Sequence, residues 1–181
     1  MSKGIAFVGL LSLSVLLFAG CGAPAPSSGD EGEVSSDESS SKPKEPRVAP
    51  VFTLPRVGGG EVSLADSHGR VRLVDFWTTW CPPCREEIPM LNELQLAYGE
   101  RGFDILAISP EEADILEEFM AENPVEYTSL VGTEELVHEY KALGYPTAFL
   151  IDGDGYVVEV FFGPKPRSVL EEKIEALLSE S

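Results

Sequence analysis

The chain has 181 residues, about one domain's worth, and an ordinary apolar share of 43%. Its formal net charge of -18 excludes nucleic acid as a partner, since a surface of that sign is repelled by phosphate. Three cysteines are too few for a disulfide scaffold, and their settings differ: Cys21 closes an apolar run, whereas Cys81 and Cys84 form a C-x-x-C pair.

In chain order, Lys3 is followed by an apolar stretch from Ile5 to Leu17, and no further charge occurs before Asp30. Residues 1–20 therefore read as a signal peptide. The run is short and broken by Gly and Ser, where a membrane-spanning helix needs about 20 apolar residues. Its end, Phe18-Ala19-Gly20-Cys21, resembles the bacterial lipobox, in which a cysteine is lipidated and becomes the new amino terminus; Phe18 departs from the usual Leu. A plain secretory signal with an incidental cysteine is the alternative, because small residues also suit ordinary cleavage. Lipidation of Cys21 implies several acyl chains, and at about 0.8 kcal/mol per buried methylene these hold a protein on a membrane. Residues 21–46 follow as a tether. They are dominated by Gly, Pro, Ser, Asp and Glu, with Val34 the one large apolar side chain after Cys21. Such a segment cannot bury enough surface to fold, and as a flexible chain it reaches about 25 to 30 Å.

Residues 47–181 carry the periodic patterns. Val71 to Trp77 is a β-branched and aromatic run that predicts a buried strand. Cys84, Ile88, Leu91, Leu94 and Tyr98 then recur at helical spacing, with Pro89 expected to kink the helix and Gly99 and Gly102 near its end. Phe103 to Ile108 predicts a second strand, followed by a helix from Glu111 with an apolar face of Ile115, Leu116, Phe119 and Met120 and a stop at Asn123-Pro124. A short strand from Tyr127 to Val131 leads to a helix opening at Thr133, where Glu134 and Glu135 suit the positive end. Thr147 to Ile151 and Tyr156 to Phe162 flank Asp152-Gly153-Asp154-Gly155, a hairpin signal. A last helix from Arg167 should bury Val169, Leu170, Ile174, Leu177 and Leu178. Strands alternating with helices, closed by a hairpin and a helix, predict an α/β fold with a central mixed β-sheet flanked by helices on both faces.

Trp80-Cys81-Pro82-Pro83-Cys84 stands where the first strand hands over to a helix. A helix amino terminus favours a thiolate, and three-residue spacing brings the second sulfur within reach of the first. Such a pair attacks and resolves disulfides. Two other readings of the spacing are a zinc site and a structural disulfide. Zinc needs four ligands, and beyond the pair residues 47–181 offer only His68 and His138; a bridge this short constrains little chain. Asp75, inside an otherwise apolar strand, costs several kcal/mol unless compensated, and burial should raise its pKa.

The run Val74-Asp75-Phe76-Trp77-Thr78-Thr79-Trp80-Cys81-Pro82-Pro83-Cys84, with Glu86-Ile88-Pro89 after it and Leu143-Gly144-Tyr145-Pro146-Thr147 near the end, resembles the extracytoplasmic TlpA/ResA-like branch of the thioredoxin superfamily. The resemblance covers roughly residues 48 to 178. It implies a thioredoxin-like fold and a protein thiol-disulfide oxidoreductase that works without a bound cofactor or metal. By the same resemblance Cys81 and Cys84 are the redox pair. Asp75, or Glu111 after Ser109-Pro110, handles the proton of the buried cysteine; many TlpA-like proteins have Asn where Asp75 stands. Tyr145-Pro146 is a cis bond beside the cysteines, and Trp80, Pro82, Tyr145 and Pro146 meet the substrate. The implied partners are disulfide-bearing proteins, apocytochrome c among them, and a membrane thiol transporter of the DsbD or CcdA kind that supplies electrons. The implied location is extracytoplasmic, held to a bacterial membrane by the lipid.

Pro82 and Pro83 offer the Cys81 sulfur no backbone N–H and no charge, so thiolate stabilisation should be moderate, which favours reduction or exchange. A disulfide-donating oxidase is the alternative direction. A non-redox binding module is weakened by the complete set of two cysteines, proline and acid. Thr78-x-x-Cys81 partly matches a peroxidase site, but Val74 stands where that site has proline. His138 with the cysteines fails the spacing of copper chaperones and reads as solvated helix face. Asp152 to Gly155 echoes a calcium loop, but Gly163 stands where its glutamate is required.

Overall fold

In a computed structural model, residues 47–180 are described, so the expected signal peptide, Cys21 and the tether lie outside the described residues. Strand β4, Val71–Phe76, is buried at every position, as its β-branched and aromatic content dictates. It sits inside a sheet with β1 (Arg47–Val48), β5 (Phe103–Ser109), β6 (Thr128–Val131), β7 (Thr147–Ile151) and β8 (Tyr156–Phe162). The spatial order is β1-β8-β7-β4-β5-β6. β4, β5 and β6 are parallel, while β7 runs antiparallel to β4, β8 to β7 and β1 to β8. The mixed sheet is thus as expected. A separate hairpin, β2 (Thr53–Pro55) with β3 (Glu61–Ser63), precedes it.

The parallel connections demand crossovers, and these are α1 (Pro82–Tyr98) and α2 (Ala113–Glu122); α3 (Glu134–Tyr140) joins β6 to β7, and α4 (Arg167–Glu180) closes the chain. Because strand side chains alternate between faces, β4 feeds two cores. Val71, Leu73 and Trp77 pack with Leu91 and Leu94 of α1, Leu116 of α2 and Leu170 and Ile174 of α4. Val74 and Phe76 pack on the opposite side with Leu136, Val137 and Tyr140 of α3 and with Phe52 and Leu54. Each fully buried Leu or Phe contributes about 1.5 to 3 kcal/mol.

Helix starts follow local chemistry. Thr133 caps α3 by accepting the Leu136 N–H, with Glu134 and Glu135 in the first turn. Asp152 closes the hairpin turn, its carboxylate accepting the N–H groups of Asp154 and Tyr156. α1 runs through Pro89 to Tyr98 as one helix.

Three sequence expectations are corrected. α2 begins at Ala113, two residues after Glu111, because Glu112 is still extended at ψ 149°. Leu116 is fully buried, while Ile115, one residue back and so turned off that face, is 44% exposed. Val169, Leu177 and Leu178 in α4 are only half-buried, the full burial falling to Leu170 and Ile174. β1, β2 and β3 have two or three residues each, too short for alternation to be legible.

Candidate active site

β4 delivers the chain to the site and α1 takes it away. Cys81 is the N-cap of α1, with extended backbone (φ -89°, ψ 104°), and Pro82 and Pro83 fill the first helical positions, where a missing N–H costs nothing. Cys81 and Cys84 are joined as a disulfide, their Cα atoms 5.3 Å apart. The Cys84 N–H points at Cys81 Sγ from 3.3 Å. The two prolines supply no donor, as expected, and the backbone N–H that reaches the Cys81 sulfur is the second cysteine's own. Both cysteines are nearly covered, at 3% and 4% exposure. What meets solvent is their rim: Trp80 is 67% exposed and Pro82 is exposed beside it.

The Tyr145–Pro146 bond is cis. The Tyr145 ring stands edge-on to Trp80, centroids 5.8 Å apart, so the two loops flanking the disulfide touch. Pro146 is buried, and its carbonyl accepts the Gly163 N–H at 2.9 Å. Burial raises the Tyr145 hydroxyl pKa, helped by the charges of Glu134 and Glu111. A groove of about 350 Å³ beside this rim is lined by Val137, Leu143, Tyr145 and the exposed His138.

Glu111 makes no hydrogen bond to either sulfur. Its carboxylate accepts the Thr79 N–H and the Thr79 hydroxyl, both at 2.7 Å, and the Ser109 hydroxyl at 2.9 Å. It therefore ties the end of β5 to the loop two residues ahead of Cys81. Charge-assisted bonds of this kind are about twice as strong as neutral ones.

Asp75 is buried and, by strand alternation, lies between Leu73 and Trp77 on the face that packs against Cys81, Cys84 and α1. Its partner is Lys165, from the loop between β8 and α4, whose Nζ lies 2.9 Å from Asp75 Oδ1. The same ammonium lies 2.8 Å from Oε2 of Glu87, one turn beyond Cys84 on α1, and the Lys165 N–H donates to Glu87 Oε1 at 2.6 Å. Burial pushes the Asp75 carboxyl above its ordinary value against the pull of Lys165. Burial raises Glu87 too, with the Asp75 charge adding to it and Lys165 opposing. Burial pulls Lys165 down, but the two carboxylates outweigh it and hold the ammonium above its usual pKa.

The structure thus brings together Cys81, Cys84, Trp80, Tyr145 and Pro146, sets Asp75 in the core on their side of the sheet, and uses Glu111 on the adjoining loop. Sequence reasoning missed Glu87 and Lys165. Glu87 carries a signal, since it lies three residues after Cys84 and four before Leu91 on the apolar stripe. Lys165, inside Gly163-Pro164-Lys165-Pro166, carries none, because an irregular loop has no period.

Comparison with known proteins bears on this arrangement. The sequence profile of the AhpC/TSA family matches residues 47–160. The thiol-disulfide oxidoreductase ResA of Bacillus thuringiensis subsp. konkukian is 32% identical over 133 residues, covering 72% of this chain and 77% of its own. Among solved structures, a Chlorobium tepidum DsbE-type thiol:disulfide interchange protein superposes with a TM-score of 0.70 at 34% identity, covering 75% of this chain and 98% of its own. A second Chlorobium tepidum structure, a thioredoxin-family thiol:disulfide interchange protein, gives 0.68 at 31% identity, with the same coverage of 75% and 98%.

Proposed function

The chain belongs to the AhpC/TSA family within the thioredoxin superfamily and is a ResA-like protein thiol-disulfide oxidoreductase, and from that premise we propose that it reduces or exchanges disulfides of extracytoplasmic proteins while held to a membrane by a lipid on Cys21. The observation that carries the reading is the Cys81–Cys84 disulfide at the amino terminus of α1, rimmed by Trp80 and the cis Tyr145–Pro146 segment.

In the reduced protein the Cys81 thiolate, favoured by the helix end, attacks a substrate disulfide. A bond forms between Cys81 Sγ and one substrate sulfur, and the other leaves as a thiolate. Cys84 gives up its proton to Asp75 and attacks Cys81 Sγ, which restores the intramolecular disulfide and releases the second substrate thiol. Two electrons have passed to the substrate. Tyr145 supports docking: its N–H and C=O have no hydrogen-bond partner among the described residues, so they are available to pair with an extended substrate backbone beside Trp80, Pro82 and Pro146. Glu111 serves this chemistry as a brace on Thr79. Residues 1–20 act as the signal peptide, 21–46 as the tether and 47–181 as the working domain. Electrons come from a membrane thiol transporter of the DsbD or CcdA kind, and apocytochrome c is one substrate class.

The reduction potential of the Cys81–Cys84 pair tests the direction. A value near or below about -270 mV supports a reductant, and one near about -120 mV makes the protein an oxidant instead. Cys84→Ser is expected to trap a mixed disulfide through Cys81, resolved by non-reducing gel electrophoresis. A Cys84→Ser protein with full turnover would overturn the two-cysteine cycle.

A further inference from the structure

Lys165 plays no part in the exchange just derived, yet its ammonium is buried and bound by two carboxylates. Its side chain has 0% exposure, and burying an ammonium is costly unless it is paired and hydrogen-bonded. Asp75 meets one from β4 and Glu87 meets another from α1, at 2.9 and 2.8 Å. Glu87 also grips the Lys165 main-chain N–H. Pro164 and Pro166 on either side restrict the backbone of the loop. One lysine therefore joins a strand and a helix that meet beneath the disulfide.

The charge count gives this arrangement a chemical consequence. Two carboxyls share one ammonium, so full ionisation leaves one uncompensated negative charge in a buried pocket, and a single proton removes it. Other titratable groups facing the pocket do not supply that proton. Tyr127, ahead of β6, stays neutral, because burial and the charges of Asp75 and Glu87 raise its hydroxyl far above the usual range. Arg167, Lys173 and Glu175 of α4 are engaged elsewhere: Arg167 with Glu93 and Glu171, Lys173 with Glu159, and Glu175 with Tyr98 and Arg101. Cys84 remains, one helical turn from Glu87 on the same face of α1.

We propose that Lys165 is a positioning residue for proton transfer at the dithiol: its buried ammonium keeps one of the two carboxyls ionised and leaves the other to take up and return the Cys84 proton. The inference rests on the two-cysteine cycle above. In the balanced step the proton leaves Cys84 Sγ for the carboxylate, the thiolate forms the bond to Cys81 Sγ, and the substrate sulfur departs with the electron pair of the broken bond. Lys165 changes neither its bonds nor its charge.

The test is the reduction potential of the full-length protein across pH, for wild type and Lys165→Met. An opposite charge this close lowers a carboxyl pKa by about 1 to 3 units, so the pH at which the potential changes slope should rise by about one unit or more in the variant. Superimposable profiles would overturn the proposal, because a purely structural clamp does not move them. If Lys165→Met does not fold, the double variant Glu87→Gln with Lys165→Met removes one charge of each sign. It leaves Asp75 without a counter-charge, and a break above that of wild type is expected, whereas an unmoved break again overturns the role. The two readings separate cleanly. Loss of exchange with a small disulfide by wild-type protein would remove the cycle, whereas retained exchange with an unmoved profile would remove only Lys165.

Discussion

Asp75 occupies the one kind of position where a carboxylate is most costly, inside a strand buried on both faces, and the structure offsets that cost with Lys165 only in part, since the carboxyl pKa stays raised by burial. A raised folded-state pKa means that the folded form holds the proton more tightly than the unfolded chain. The associated stability is fully present below the unfolded value of about 3.9 and is lost as pH climbs through the raised folded value. Asp75→Asn cannot ionise, so its stability relative to wild type should grow as pH rises from about 4. Urea denaturation of the oxidised protein over a pH series measures this, and a constant difference would show that Asp75 ionises as freely folded as unfolded. The two acids differ in legibility. Asp75 announces itself as a lone charge in an apolar run, whereas Glu87 hides among the charged residues Arg85 and Glu86, and only the helical count from Cys84 exposes it.

At the level of elements, the active loop is held from both ends. Cys81 starts α1 and is fixed by the Cys84 amide, while Thr79 is tied back to β5 through Glu111. Glu111 illustrates how far a local pattern reaches. Three acidic residues in a row of four suit a helix start, yet the helix begins at Ala113 and Glu111 turns instead toward the neighbouring loop. Glu111→Ala strips the Thr79 N–H and two hydroxyls of their acceptor. The expected cost is about 1 to 3 kcal/mol, read from the urea midpoint, together with slower exchange as the loop ahead of Cys81 loosens. Unchanged stability would mean that water replaces the carboxylate at no penalty. The short strands β1 to β3 lay beyond sequence reading for another reason, because pairing over two or three residues is decided by the partner strand and not by the segment's own pattern.

For the whole molecule, the sequence holds an apolar run before Cys21, a stretch rich in Gly, Pro, Ser and acidic residues, and then residues 47–180, which bury two sides of one sheet. If Cys21 carries the lipid, Cys21→Ser should move the protein from the membrane to the soluble fraction on centrifugation while leaving the dithiol potential unchanged; a variant that still sediments would place the anchor elsewhere. Among the described residues no helix is long and apolar enough to cross a membrane. The order of the helices and of the strands from β4 onward, the mixed sheet, the cysteine pair and the buried acid were all determined by the sequence itself, because periodicity, cysteine spacing and a charge in an apolar run are properties of neighbouring residues. The tertiary structure alone decided that Lys165, 90 residues from Asp75 and 78 from Glu87, closes the buried ion cluster, and that Glu111 faces Thr79. The physical reason is that an ion pair depends on a distance of a few ångströms between side chains, and folding sets that distance across any separation along the chain.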